Sequence, residues 1–168
     1  CGTTSVLADD DYVSNSFLAA FGCTGTLGNT FANVGSVVVM RVSSDGTTTS
    51  TESTLSVPSG DQLTNLRFGS LLSISNGVLA VGTAPLQQAG AAADAPGVFL
   101  YSRVDDTGFS LENTVAAPSG SISWPAGLTQ TAGQLAVSDR GTRTATRYYR
   151  SDPHVLLLHT DKTCSTEI

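Results

Sequence analysis

Phe68-Gly69-Ser70-Leu71-Leu72-Ser73-Ile74-Ser75-Asn76-Gly77-Val78-Leu79-Ala80-Val81-Gly82 decides how this chain is built. Phe68, Leu72 and Ile74 share one face of a strand, and Ser73 and Ser75 fall on the other, the alternation of a half-buried strand. After a polar turn the chain becomes continuously apolar from Val78 to Val81, as a strand buried on both faces does. The same order occurs twice more. Residues 8–22 lie sixty positions earlier and end on Leu18-Ala19-Ala20-Phe21-Gly22, and residues 125–139 lie fifty-seven positions later and carry Leu135-Ala136-Val137.

A further apolar strand follows each copy, at residues 35–42, 97–104 and 154–159. Asp45-Gly46 and Asp105-Asp106-Thr107-Gly108 come next, and both suit hairpin turns because Gly and Asp tolerate positive φ angles. A fourth strand ends in the same tripeptide twice, Pro58-Ser59-Gly60 and Pro118-Ser119-Gly120. The expectation is therefore an all-β chain forming one domain over residues 1–168, with repeats at about 8–66, 67–123 and 124–164. Each repeat reads as four short antiparallel strands, the unit that recurs radially in a β-propeller. Three blades fall short of the four to eight that close a ring. The propeller is thus partial or is completed by other chains: a two-chain ring, a piece of a longer protein, or a head-to-tail polymer.

Composition agrees with close-packed strands. Of 168 residues 40% are hydrophobic and only 13% charged, about half the usual charged share. No apolar run approaches the ~18–20 residues of a membrane span. The N-terminus shows no signal peptide, which implies that any such segment has been removed. Cys1-Gly2 also matches the start of a mature lipoprotein. A net charge of −6 argues against nucleic acid as a partner. Arg140, Arg143, Arg147 and Arg150 nevertheless cluster, and Asp9, Asp10 and Asp11 cluster near the other end. Each cluster is either a solvated loop or one half of a complementary contact between subunits; the aspartates have a divalent ion as a further option.

Cys1, Cys23 and Cys164 match neither a zinc spacing nor a C-x-x-C redox pair. Two of them could join in an oxidising compartment, and a Cys1–Cys164 bond would tie the ends of the array. The sequence contains no nucleophile elbow, zincin motif, P-loop or dinucleotide fingerprint, so no catalytic residue is assigned. His154 and His159 flank an apolar strand at a spacing that sends them to opposite faces. Trp124 is either a platform for stacking a sugar or a core residue between blades. The tract at residues 47–54, rich in Thr and Ser, is an outer strand or a site for O-linked sugars, and no N-glycosylation sequon occurs.

In the middle unit, Phe68-Gly69, Val78-Leu79-Ala80-Val81-Gly82-Thr83-Ala84-Pro85 and Gly97-Val98-Phe99-Leu100-Tyr101 resemble the FG-GAP repeat of integrin α-subunit heads. The first unit keeps Phe21-Gly22 and Gly35-Ser36-Val37-Val38. The third departs from the pattern, with Pro125-Ala126 for Phe-Gly and Ser138-Asp139 for Gly-Ala. The resemblance implies a calcium loop after each Val-Gly-Ala-Pro strand, but calcium needs several carboxylates. The matching loops hold none (23–34), Asp94 alone (86–96), or two acids separated by four arginines (139–152), so no metal or other cofactor is expected.

The function these features imply is an extracellular or cell-surface, non-enzymatic module for adhesion, matrix or appendage assembly. Its partners would be copies of itself, further blades, or other surface and matrix proteins. The contact candidates are Arg140, Arg143, Arg147, Arg150 and Asp9, Asp10, Asp11. The alternative is a carbohydrate-binding propeller lectin, with glycans as partners and Trp124, Tyr148 and Tyr149 stacking on sugar.

Overall fold

The computed structural model describes residues 4–9, 15–25, 33–47, 49–58, 61, 65–84, 96–104, 108–118, 121, 123–131, 134–140, 144–152 and 155–161. Among the described residues, twelve strands fall into three four-stranded sheets, each an antiparallel meander. The first sheet holds β1 (Thr4–Asp9), β2 (Ser16–Cys23), β3 (Ser36–Ser43) and β4 (Thr49–Ser56). The second holds β5 (Leu71–Ser75), β6 (Val78–Gly82), β7 (Pro96–Arg103) and β8 (Phe109–Ala116). The third holds β9 (Gly127–Thr131), β10 (Gln134–Asp139), β11 (Thr144–Asp152) and β12 (Val155–Asp161). Among the described residues no helix is long and apolar enough to cross a membrane.

Burial patterns give the order of the layers. All five residues of β6 are buried, whereas β10 alternates between buried and more open positions. A strand buried at every residue needs cover on both faces. The second sheet has that cover: β1 lies against β5, and β5 lies against β9. The first strands of the three sheets thus stand side by side, and one core runs through Leu18, Val37, Val39, Phe68, Phe99, Trp124 and Val137.

Local chemistry explains the turns. β5 and β6 are joined by Asn76-Gly77 alone, with φ angles of 49° and 69°. Two consecutive positive φ values define the type I′ hairpin, whose twist suits antiparallel strands. Between β3 and β4, Asp45 accepts hydrogen bonds from Ser43 Oγ (2.5 Å), Thr47 Oγ1 (2.8 Å) and Thr47 N (3.0 Å). The Ser43 hydroxyl, followed by the Thr47 donors, holds the Asp45 carboxyl down at about 2. Both prolines that follow outer strands accept from the residue three further on, Asp61 N to Pro58 O and Ser121 N to Pro118 O. The ladder between third and fourth strands is irregular in all three sheets, at Val39/Met40, Leu100/Tyr101 and Arg150/Asp152. Such bulges increase the local twist.

The structure moves two of the expected strands. A fixed offset of sixty residues would start the first strand after residue 8, yet β1 begins at Thr4. The cause is the hairpin: β5 and β6 are separated by two residues, whereas residues 10–15 separate β1 from β2. In the third sheet, the run expected as the third strand (154–159) falls in the fourth, β12, and most of the expected loop 139–152 is β11. Val155-Leu156-Leu157-Leu158 carries the apolar signal of an inner strand, but β11, rich in Thr and Tyr, pairs between it and β10. β-branched and aromatic residues suit a strand even where charge interrupts them.

The first two sheets are joined through residues 65–70. Arg67 N donates to Asn33 O (2.9 Å), Phe68 N to Val34 O (2.7 Å) and Gly69 N to Gly82 O (3.1 Å). Tyr101 adds a bond from the second sheet to the first, its hydroxyl donating to Ser56 O at 3.1 Å. Burial pushes the Tyr101 phenol up to about 12 from its ordinary 10. The folded chain therefore holds this proton more tightly than the unfolded chain. The stability it contributes is complete below pH 10 and is lost as pH rises towards 12. Tyr101→Phe is expected to cost about 1 kcal/mol at neutral pH, because the Ser56 carbonyl loses its donor. Denaturant melts from pH 8 to 12 should show a steeper alkaline loss in the wild type than in the variant; parallel curves would remove Tyr101 from this role.

Candidate functional site

The two faces of the first sheet have different neighbours. Val6, Leu18, Ala20, Val37, Val39 and Leu55 pack into the common core. Because side chains alternate along a strand, their neighbours in sequence lie on the opposite face. The cross-strand register assembles that face: Leu7 stands opposite Ala19 and Ala19 opposite Met40, while Phe21 pairs with Val38 and Phe17 with Val42. Leu7 is 63% exposed, and Phe17, Phe21, Val38, Met40 and Val42 are all partly exposed. No described strand is packed on this face. The result is a contiguous apolar surface on an end sheet, of the kind that marks an interaction site.

β2 and β3 were expected from their sequence to be buried on both faces, like β6 and β7. Among the described strands the second sheet receives two covering layers and the first only one. The apolar residues on the outward face of β2 and β3 therefore carry the composition of a buried layer, with no described strand laid over them.

A second feature lies where the second and third sheets meet. A concavity of about 280 Å³ is bordered by Arg67, Ser70 and Leu71 on one side and by Ser123, Pro125 and Arg140 on the other. Arg67 is held at φ 53° between its amide bond to Asn33 and its carbonyl, which accepts from Ser70 N (3.0 Å) and Ser70 Oγ (2.6 Å). Across the gap, buried Asp139 accepts from Ser123 N at 3.0 Å and anchors the opposite wall. Thr83, fully buried, forms part of the lining and donates to Ala84 O at 2.8 Å.

Of the contact candidates, Arg140 is exposed in the turn after β10, and Arg147 and Arg150 lie on β11 opposite His159 and Leu156 of β12. Arg143, Asp10 and Asp11 lie outside the described residues. Asp9 ends β1 opposite Phe17, at the border of the open face. Tyr148 and Tyr149 are consecutive residues of β11 rather than of a loop. Trp124 is fully buried, so it offers no face to a sugar. It precedes β9 by the same three residues that separate Phe68 from β5, and it fills the core as Phe68 does. Cys23 ends β2 and is buried, while Cys1, Cys164 and His154 lie outside the described residues. The tract at 47–54 runs into β4, where Ser50, Thr51 and Thr54 are exposed.

Sequence reasoning did not single out Arg67 or the outward residues of β2 and β3. The available signal for the latter was their apolar alternate positions; for Arg67 there was none, since its place depends on contacts between sheets. No protein-family model matches the chain, and no curated protein matches it.

Proposed function

We propose that the three sheets are consecutive blades of an FG-GAP-like β-propeller module that works outside the cell by binding protein surfaces. In this reading the open face of the first sheet receives a further blade, supplied by a second copy of the chain. The observation that carries it is the apolar face formed by Leu7, Phe17, Phe21, Val38, Met40 and Val42, left open where the same kind of layer in the second sheet is covered twice. The side-by-side order of β1, β5 and β9 supports the blade assignment, because blades pack around an axis through their first strands. Charge favours a second copy as the occupant, because the sequence carries an acidic cluster at residues 9–11 and a basic one at residues 140–150. A disulfide through Cys23 belongs to this reading and would place the chain in an oxidising compartment.

Sedimentation velocity tests this. The wild-type chain is expected to form species larger than its 17.2 kDa monomer. Leu7→Asp should return it to monomer with little change in melting temperature, since Leu7 is 63% exposed. Arg147→Glu should weaken association more at low salt than at high salt, because salt screens the attraction between opposite charges. A wild-type monomer at every concentration, or Leu7→Asp assembling like the wild type, would sink the proposal.

A further inference from the structure

The cavity between the second and third sheets has the chemistry of a site for an organic acid, and we infer that it binds a single acidic sugar residue of the hexuronate class through its carboxylate. The inference stands apart from self-association, because the cavity lies at an internal seam and not on the open face.

Charge is the first reason. The chain has only eight lysines and arginines against fourteen acids, yet two of the eight border one small concavity. Both Arg67 and Arg140 are exposed, and among the described residues no carboxylate forms an ion pair with either guanidinium. No described acid lines the cavity, and the nearby Asp139 is buried and engaged with Ser123 N. A guanidinium presents a planar fork of donors that matches a carboxylate in a bidentate pair. Two arginines lining one cavity, with neither ion-paired among the described residues, set the site up for an anion.

Size and lining supply the rest. At about 280 Å³ the space falls just below the range of drug-sized pockets, which suits one ring rather than a chain. Leu71, Pro125 and Ala126 give it apolar wall for the carbon face of a sugar ring. Ser70 and Ser123 lie on opposite sides, where hydroxyl groups of a ligand would meet polar partners. A bare inorganic anion would use the arginines and leave the apolar wall unused; a neutral sugar would do the reverse.

The backbone around the site favours a defined geometry. Arg67 sits at a positive φ, which few side chains with a Cβ adopt, and it is kept there by its bonds to Asn33 and Ser70. Its side chain therefore leaves a rigid junction between sheets. Arg140 follows Asp139, whose carboxylate is fixed to the opposite wall. Preorganised walls reduce the ordering cost of binding.

The test is a titration of the isotope-labelled chain with glucuronate, followed by amide shifts in NMR. Saturable shifts confined to residues 67–71, 83–84, 123–126 and 140 are expected. Glucose, with the same ring and no charge, should produce no saturation in the same range. Arg67→Gln and Arg140→Gln should each weaken binding by about tenfold or more, the scale of a lost charge-assisted hydrogen bond. Both side chains are exposed, so the melting temperature should stay at the wild-type value and confirm folding. Glucuronate bound no better than glucose, or bound equally by the double variant, would overturn the inference. Phosphate or acetate binding as tightly as glucuronate would overturn the sugar assignment.

Discussion

Phe68→Ala is expected to destabilise the chain by about 3–5 kcal/mol, the range for removing a large aromatic side chain from a core. Phe68 has no exposed surface, and its ring meets Phe99 edge-on at 5.4 Å and Tyr101 at 6.2 Å between centroids. The loss combines the buried area of the ring, the cavity left behind and the two aromatic contacts. Whole domains are stable by only about 5–15 kcal/mol, so this one change removes a large share. Its effect should reach both sheets. The Phe68 amide donates to Val34 O, and Phe68 bridges in parallel to Gly35, so the residue joins the first sheet to the second. Urea unfolding should show the lowered midpoint, and hydrogen exchange should quicken in β1–β4 as well as in β5–β8. Phe68→Leu should retain much of the stability. A loss below about 1 kcal/mol for the alanine variant would place Phe68 outside the shared core.

Gly22→Ala should be nearly as damaging, at about 3 kcal/mol, the upper part of the overpacking range. The cause is neither a turn nor an unusual φ. A methyl group at Gly22 would be driven into the backbone carbonyl of Gly69 and the Thr4 hydroxyl, so the first and second sheets would have to separate. Backbone has little room to yield without breaking its ladder. Gly82 occupies the matching end of β6 and provides the control. There the new methyl would meet Leu71 Cβ at 2.9 Å and Cδ1 at 3.2 Å, a shallower overlap than the one with the Gly69 carbonyl, and a small shift of the β5–β6 pair relieves it. Gly82→Ala should therefore cost about 1 kcal/mol. Equal losses at the two glycines would show that the approach of the sheets at Gly69 is not the cause. Both variants are measured by urea unfolding beside the wild type.

Strands whose apolar pattern and turn chemistry agree were legible in the sequence. Val78–Gly82 read as a strand buried on both faces, and β6 is buried throughout. The Gly and Asp turns and the two Pro-Ser-Gly endings marked the outer strands correctly, because their constraints are local: a positive φ or a ring that lacks an N–H. The third sheet misled for the opposite reason. Val155-Leu156-Leu157-Leu158 is apolar enough to be an inner strand, yet the inner place belongs to β11, whose arginines and threonines hide its strand character from a hydrophobicity pattern. Fixed spacing also placed Pro125-Ala126 against Phe68-Gly69. Trp124 fills the core at Phe68's distance from the following strand, so the aromatic was displaced by one residue rather than lost.

By itself, the sequence determined the all-β character, the recurrence of one four-stranded unit and the apolar content of the inner strands. These are written in periodicity and in turn residues, which act over a few positions along the chain. Tertiary structure alone decided which apolar faces are covered. Phe21 and Val81 are both apolar residues of second strands, but Val81 lies between two sheets and Phe21 faces outward from the first. It also brought Arg67 and Arg140, seventy-three residues apart, to one cavity. Burial and the meeting of distant charges depend on which sheet stacks on which, and that is settled by packing between layers rather than by any pattern within one strand.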